Sequence, residues 1–521
     1  MYKNEWIGFI IATIPIIWLL VSLGKWKMPA YRASLIALAL TVVISFGYYS
    51  MPAVFILEAS LEGVMLAVFP ILWVIISALF VYNTTLATGS MEKIKIMLSN
   101  LSPDRRIQGL ILAFAFGGFL EAVAGFGTAV AIPAGILAAM GFSPMLAATI
   151  CLIANTVPVA FGVLGVPVIT LAQVTSLPLH TLTLYTAVQL IPFAVFLPFV
   201  LIFAITGSIR KIRGVGCISL FSGIIFALGQ TITAYYAGPE LAAVVGSLTT
   251  LLFITIWIRL FPIKNVWRFE GENSKEIPFS VNIKIMEALK AWLPYIIILI
   301  LIFAIKFLPM LHFLNQYPFV LIKQFYFGPS GKTMVFQLAT SGGTILFVAA
   351  LLGGLMQGAG IKMLWNVFRK TIKQIEKTMI TIISIVALAK VMGYSGMVNS
   401  ISHTVATVSG RFYPLMAPFL GAMGTFITGS DTSSNVLFGN LQKQTALTLG
   451  LSPEWLTAAN AAGATAGKMI SPQSIAIAAS STDLTNQEGK ILGTTFSYCI
   501  VYVVMMGILV FACSGVAKLL P

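Results

Sequence analysis

Two acidic residues sit in stretches that otherwise read as membrane. Glu121 lies in Gly118-Phe119-Leu120-Glu121-Ala122-Val123-Ala124-Gly125-Phe126-Gly127-Thr128, with no base within helical reach. Asp431 lies in Thr428-Gly429-Ser430-Asp431-Thr432-Ser433-Ser434-Asn435, one carboxylate among hydroxyl and amide side chains. An ionisable group inside a bilayer costs about 2.5 kcal/mol or more, so each is a functional candidate. A carboxyl held out of water suits a group that takes up and releases a proton. Glu121 and Asp431 are therefore the proton-coupling candidates. The plainer reading of Glu121 is a protonated structural donor, and of Asp431 a cap for the helix that follows. Two lysines join them as groups that could hold a carboxylate or neutralise the acids. Lys468 precedes Met469-Ile470-Ser471-Pro472-Gln473, and Lys390 lies in Ile385-Val386-Ala387-Leu388-Ala389-Lys390-Val391-Met392. Snorkelling from a span end is the alternative for both. Asn155, Thr156, Ser430, Ser433, Asn435, Ser471 and Gln473 supply hydroxyls and amides for a small polar ligand, and Gly125, Gly127 and Gly429 mark where the backbone breaks.

Composition names the elements that must hold these residues. Hydrophobic residues make up 58% of the 521 and charged residues 9%. A soluble domain carries roughly 25% charged residues, so the chain reads as an all-α polytopic membrane protein. A net charge of +15 would suggest nucleic acid in a soluble chain. Here the bases cluster in short segments between apolar runs, the positive-inside pattern, with anionic lipid headgroups as the expected partner and no nucleic acid. Cys151, Cys217, Cys499 and Cys513 show no paired spacing and read as free thiols. His180, His312 and His403 are isolated, so no metal site is expected, and no motif asks for a cofactor. The Met1 end lacks a basic segment and a small-residue cleavage site, so no signal peptide is expected before the first span.

A span needs about 20 apolar residues. Continuous candidates are Ile7–Leu23, Ala30–Tyr48, Val64–Tyr82, Met145–Leu164, Tyr185–Ile205, Val215–Tyr236, Leu241–Phe261, Leu293–Leu311, Thr340–Leu355, Met379–Val398, Leu456–Ile470 and Leu492–Ala512. With two broken elements this predicts about 12–14 transmembrane helices. Lys25, Lys27, Arg32, Lys93, Lys95, Arg105, Arg106, Arg210, Lys211 and Arg213 mark one side, joined by the linkers Lys264–Lys290 and Lys362–Lys377. The Met51–Glu62 loop and the Gly238-Pro239-Glu240 turn carry no base. The basic side is expected in the cytoplasm and Met1 outside, against the run of Lys323, Lys332 and Arg411. Ile361–Ile375 alternates apolar and basic residues at helical spacing. It reads as a helix on the cytoplasmic membrane surface, a lipid-bound linker or an arm between domains.

The two acidic breaks are copies of one design. Each is followed after a short arm by Gly-x-Ser-Pro, at Gly141-Phe142-Ser143-Pro144 and Gly450-Leu451-Ser452-Pro453. The arm from Thr128 to Met140 spans about 20 Å of helix, too short to cross, so the chain must turn back. The first element, near 107–141, starts on the basic side; the second, near 413–450, starts on the other. Similar elements from opposite faces make an inverted repeat, the best sequence pointer to the site of a secondary transporter. The expected division is an N-terminal half over 1–261, a cytoplasmic linker over 262–291 and a C-terminal half over 292–521.

Longer words sharpen this. Gly117-Gly118-Phe119-Leu120-Glu121-Ala122-Val123-Ala124-Gly125-Phe126-Gly127, Gly162-Val163-Leu164-Gly165-Val166-Pro167, Leu388-Ala389-Lys390-Val391-Met392-Gly393-Tyr394-Ser395-Gly396-Met397 and Ala462-Gly463-Ala464-Thr465-Ala466-Gly467-Lys468-Met469-Ile470-Ser471-Pro472-Gln473 resemble the lactate permease family. The resemblance covers essentially the whole chain. It implies uptake of L-lactate, often also D-lactate and glycolate, with protons across a bacterial inner membrane. A sodium-coupled carboxylate carrier is the alternative within transport, since Asp431 with its hydroxyls could hold sodium. An intramembrane hydrolase using Asp431 is the alternative outside it. The sequence leaves the oligomeric state open, a homodimer being one option.

Overall fold

Apolar runs of this length leave the backbone one way to satisfy its own polar groups inside a bilayer, and the chain takes it. The structure is a computed structural model that describes residues 5–515 apart from 27, 126, 264, 271, 273–283, 316–319, 328–331 and 485–486. Among these, eleven helices are long and apolar enough to cross a membrane: Glu5–Leu23, Ala30–Gly47, Ala53–Ala87, Arg105–Val123, Pro158–Thr175, Leu179–Thr206, Gly216–Tyr236, Pro239–Leu260, Ile285–Ile305, Glu376–Ser395 and Glu488–Cys513. Shorter apolar helices cover Thr128–Ala139, Pro144–Ala154 and Gly342–Met356. All four cysteines are free. A two-stranded antiparallel hairpin, Val320–Phe327 with Lys332–Gln337, is an addition to the expected helices. It carries Lys323 and Lys332, whose side chains lie outside the described residues, as do Lys264 and residues 273–283 of the expected linker.

Three readings change. The expected loop Met51–Glu62 is helical: Ala53–Leu66 continues through a kink at Phe69 (φ −138°, ψ 121°) into Trp73–Ala87. Glu62 can lie inside because Lys390 meets it at 2.8 Å. Met145–Leu164 is not one span, because the helix Pro144–Ala154 stops at Asn155 and the chain restarts at Pro158. The amphipathic helix Ile361–Gln374 is present. It packs on the Trp73–Ala87 helix, with Asn83 donating to Thr371 at 2.9 Å and Phe368 edge-on to Phe80. Its two chain neighbours, Gly342–Met356 and Glu376–Ser395, belong to the packing group it rests on, so it ties that group together rather than bridging to another.

Packing separates the helices into two groups that cut across the sequence halves. The helices of 5–99 and 285–409 pack mainly on one another, and those of 105–260 and 413–513 form the second group. Each half therefore supplies its first part to one group and its broken element to the other. The opposed directions of the broken elements can be read against Leu179–Thr206, a helix of 28 residues, about 42 Å long. The first element begins at its C-terminal end, where Arg106 donates to the Lys211 carbonyl at 2.7 Å. The second returns near its N-terminal end, where Gln189 donates to the Trp455 carbonyl at 3.0 Å and Tyr185 meets the Trp455 ring.

Small residues let the second group close. Helices Tyr413–Thr428 and Pro453–Lys468 touch backbone to backbone: a Cβ on Gly463 would collide with the Pro418 carbonyl, and one on Gly421 with the Asn460 carbonyl. Gly463→Ala should therefore cost about 1–3 kcal/mol through overpacking, read as a lower melting midpoint of the purified protein. Gly493→Ala, where nothing lies within 4 Å of the added methyl, should leave the midpoint unchanged or raise it.

Candidate functional site

The first broken element runs as a helix through Glu121 to Val123, ends at Ala124, and resumes at Thr128 after Gly127. Gly125 (φ +58°) and Gly127 (φ +85°) take the left-handed conformations that glycine adopts without penalty. The second breaks at Gly429 (φ +71°), between helices Tyr413–Thr428 and Asp431–Thr448. Ser430 caps the second arm by accepting from the Ser433 backbone N–H at 3.3 Å. Asp431 is then not the cap but the first helical residue, and neither of its carboxyl oxygens has a hydrogen-bond partner among the described residues.

Glu121 of the first broken element and the break of the second line one cavity of about 100 Å³, where Glu121, Asp431, Lys468, Gln473, Thr428, Gly429, Ser430 and Ser433 meet Thr378, Thr381 and Ile382 of the other packing group. Lys468 donates to the Gly429 carbonyl at 2.8 Å, so its ammonium satisfies a group that the break frees. That ammonium also acts on both carboxyls, and the two carboxyls act on each other. Glu121 is 3% exposed, and its Oε2 has no partner among the described residues. Asn155 faces Glu121, and neither atom of its side-chain amide lies within hydrogen-bonding geometry of a partner among the described residues. Gln473 lies so close to Gly429 that a Cβ there would collide with its Oε1. The arrangement is two carboxyls and one ammonium around a small void, with the helix that starts at Asp431 aiming its partial positive end at it. That set can bind an anion and exchange protons.

Other expected residues have different work. Asn435 is buried in a relay rather than lining the cavity. Its amide donates to the Pro167 carbonyl at 3.1 Å and accepts from Asn460 at 3.0 Å. Gln442 donates to Asn460 at 3.2 Å and accepts from the Tyr413 hydroxyl at 2.6 Å. Thr156 donates back to the Ile153 carbonyl at 2.8 Å, and Ser471 caps the helix Pro472–Ser481. Lys390 is not at this cavity: it pairs with Glu62. Among the described residues, no group of three His, Cys, Asp or Glu side chains could hold a metal.

The sequence reading missed the wall opposite Glu121. At 163–165 the chain makes a left-handed turn, with Val163 at φ +48° and Leu164 at φ +52°. Such a conformation in a branched residue costs on the order of 1–3 kcal/mol. A Cβ on Gly162 would stand 2.8 Å from the Glu121 Oε1, so glycine there makes room for the carboxyl. Gly162 and Gly165 were the available signal. Thr378 and Thr381 carried none, because they lie in an ordinary span.

The two asparagines give a direct contrast. Asn435→Ala orphans the Pro167 carbonyl and the Asn460 amide, at about 1–3 kcal/mol for each buried group, and should lower the melting midpoint clearly. Asn155→Ala removes an amide that has no close hydrogen-bond partner among the described residues and should melt near wild type, its effect appearing instead in solute uptake by proteoliposomes.

The family described as L-lactate permease matches residues 8–517. An L-lactate permease of Streptococcus iniae is 43% identical over 86% of this chain and 93% of its own length. The glycolate permease GlcA of Escherichia coli is 33% identical over 96% of this chain and 94% of its own. The backbone overlaps loosely with the solved YdaH transporter of Alcanivorax borkumensis, at a TM-score of 0.46 and 15% identity, covering 85% of this chain and 84% of that one.

Proposed function

The chain belongs to the L-lactate permease family, and from that premise we propose that it imports L-lactate, with D-lactate, glycolate and related small 2-hydroxymonocarboxylates, together with protons across a bacterial inner membrane. The observation that carries the reading is the meeting of Glu121, Asp431 and Lys468 in one cavity formed by both broken elements. The glycolate permease among its relatives supports a substrate class defined by a carboxylate and an adjacent hydroxyl.

The coupling follows from charge. With Lys468 charged and both carboxyls ionised, the empty site carries a single net negative charge. A lactate anion added alone would double it, beside two carboxylates that already repel it. One proton arriving with the anion restores the original value, so the loaded and empty sites cross the membrane with the same charge. Proton and lactate thus favour each other's binding, and such couplings typically amount to 1–3 kcal/mol. The substrate carboxylate meets Lys468 and the amide end of the helix at Asp431. Its hydroxyl meets Asn155, Ser433 or Gln473. Glu121, the more apolar of the two surroundings, carries the proton. The N-terminus lies outside under this reading, with the basic loops in the cytoplasm.

Uptake of labelled lactate into proteoliposomes tests the class. Accumulation should follow an imposed pH gradient and be indifferent to replacing sodium by choline; the reverse pattern would make this a sodium-coupled carrier. Glu121→Gln should remain folded, because the amide mimics the protonated acid in shape and hydrogen bonding. It should lose gradient-driven accumulation and keep exchange between equal pools. Asp431→Asn is the matched variant: should it alone lose accumulation, the proton belongs to Asp431.

A further inference from the structure

We propose that Ile75, Val163 and Ile382 form the pocket for the side group on the hydroxyl-bearing carbon of the substrate, and so set which acids are carried. The proposal deepens the monocarboxylate-carrier reading and rests on it. Beside its carboxyls, ammonium and hydroxyls, the central cavity has an apolar lining. Ile75 comes from the helix Trp73–Ala87, Ile382 from Glu376–Ser395, and Val159, Val163 and Val166 from the segment 158–167. All five are buried, and the helices Trp73–Ala87 and Gly162–Thr175 pack on each other. The polar groups answer a carboxylate, a hydroxyl and a proton. The apolar lining suits the one part of a 2-hydroxy acid that is none of these.

Val163 carries the most information. It holds φ +48°, a conformation that a branched residue keeps only where its surroundings impose it, and such strain gathers at ligand clamps. A Cβ on Gly125 would collide with the Val163 Cγ2, so the valine is wedged against the first break. The left-handed turn thus places a branched apolar side chain between that break and the cavity it lines.

Size points the same way. The cavity of about 100 Å³ equals the share of roughly three waters in the liquid. That suits an acid of two or three carbons and not a branched one. An apolar pocket separates neighbours that differ by one carbon by about tenfold or more. A methyl that fills the pocket therefore binds better than a hydrogen that leaves it empty, and an isopropyl group overfills it.

The test is competition, in proteoliposomes exchanging labelled lactate, by unlabelled glycolate, lactate, 2-hydroxybutyrate and 2-hydroxyisovalerate. Wild type should rank lactate about tenfold above glycolate and reject 2-hydroxyisovalerate. Ile382→Ala should admit the two longer acids about tenfold better relative to lactate. Ile382→Val, the milder truncation, should move the same ratio the same way by less. Val163→Thr keeps the outline but sets a hydroxyl against the methyl, and should bring lactate down to the level of glycolate. Ser433→Ala removes a group offered to the hydroxyl common to all four acids, and should leave their order unchanged. Each result is a ratio within one preparation, so a smaller folded fraction does not alter it. Lactate exchange with the wild-type order in every variant would overturn the pocket, as would the same reordering in Ser433→Ala. No labelled lactate entering wild-type vesicles would overturn the carrier reading instead.

Discussion

A broken backbone at membrane depth must find partners for the groups it frees, and that requirement organises this protein. Lys468 answers the Gly429 carbonyl, Asn435 answers the Pro167 carbonyl, and Thr428 accepts from the Ser430 N–H at 3.2 Å. Each answering side chain is polar, and each must come from a neighbour already packed in place. The breaks therefore force polar residues together in the middle of an apolar molecule. Among the buried polar groups left without a described partner are the Glu121 and Asp431 carboxyls and the Asn155 amide, which under the proposed function are the groups a solute uses.

The sequence made the broken elements legible because glycine, acid and Ser-Pro recur together, and chemistry of that kind is visible one residue at a time. Gly125, Gly127 and Gly429 stand at left-handed positions as read, and Glu121, Asp431 and Lys468 share one cavity. Pairings between distant segments were not legible. Nothing near Lys390 in the chain indicates Glu62, more than three hundred residues earlier, and so Met51–Glu62 read as a loop and Lys390 as a residue of the central site. Asn435 was misplaced for the same reason: an amide in a polar run looks like a ligand until its own partners are known. The Val163-Leu164 turn broke the rules of local preference outright, since β-branched and leucine side chains give no sign of a positive φ.

Charge is handled in two ways. Away from the central cavity, charged groups are answered at close range: Glu62 by Lys390 and Tyr394, Asp104 by Arg106 at 2.6 Å and by the Trp267 backbone, Arg105 by Glu272. Breaking one side of such a buried pair is strongly destabilising, so these contacts fix structure. In the central cavity one ammonium serves two acids, and its bond goes to a carbonyl. That imbalance is where a change of protonation can be tolerated.

The relay from Tyr413 through Gln442, Asn460 and Asn435 to the Pro167 carbonyl crosses from the second half of the chain into the first. Neither half encloses the central cavity by itself. The second half alone would keep the relay but lose the carbonyl that ends it, and the first would keep the Pro167 carbonyl without the Asn435 donor. Severed between the halves, the chain would give two pieces that could restore the Asn435–Pro167 bond and close the cavity only by finding each other again.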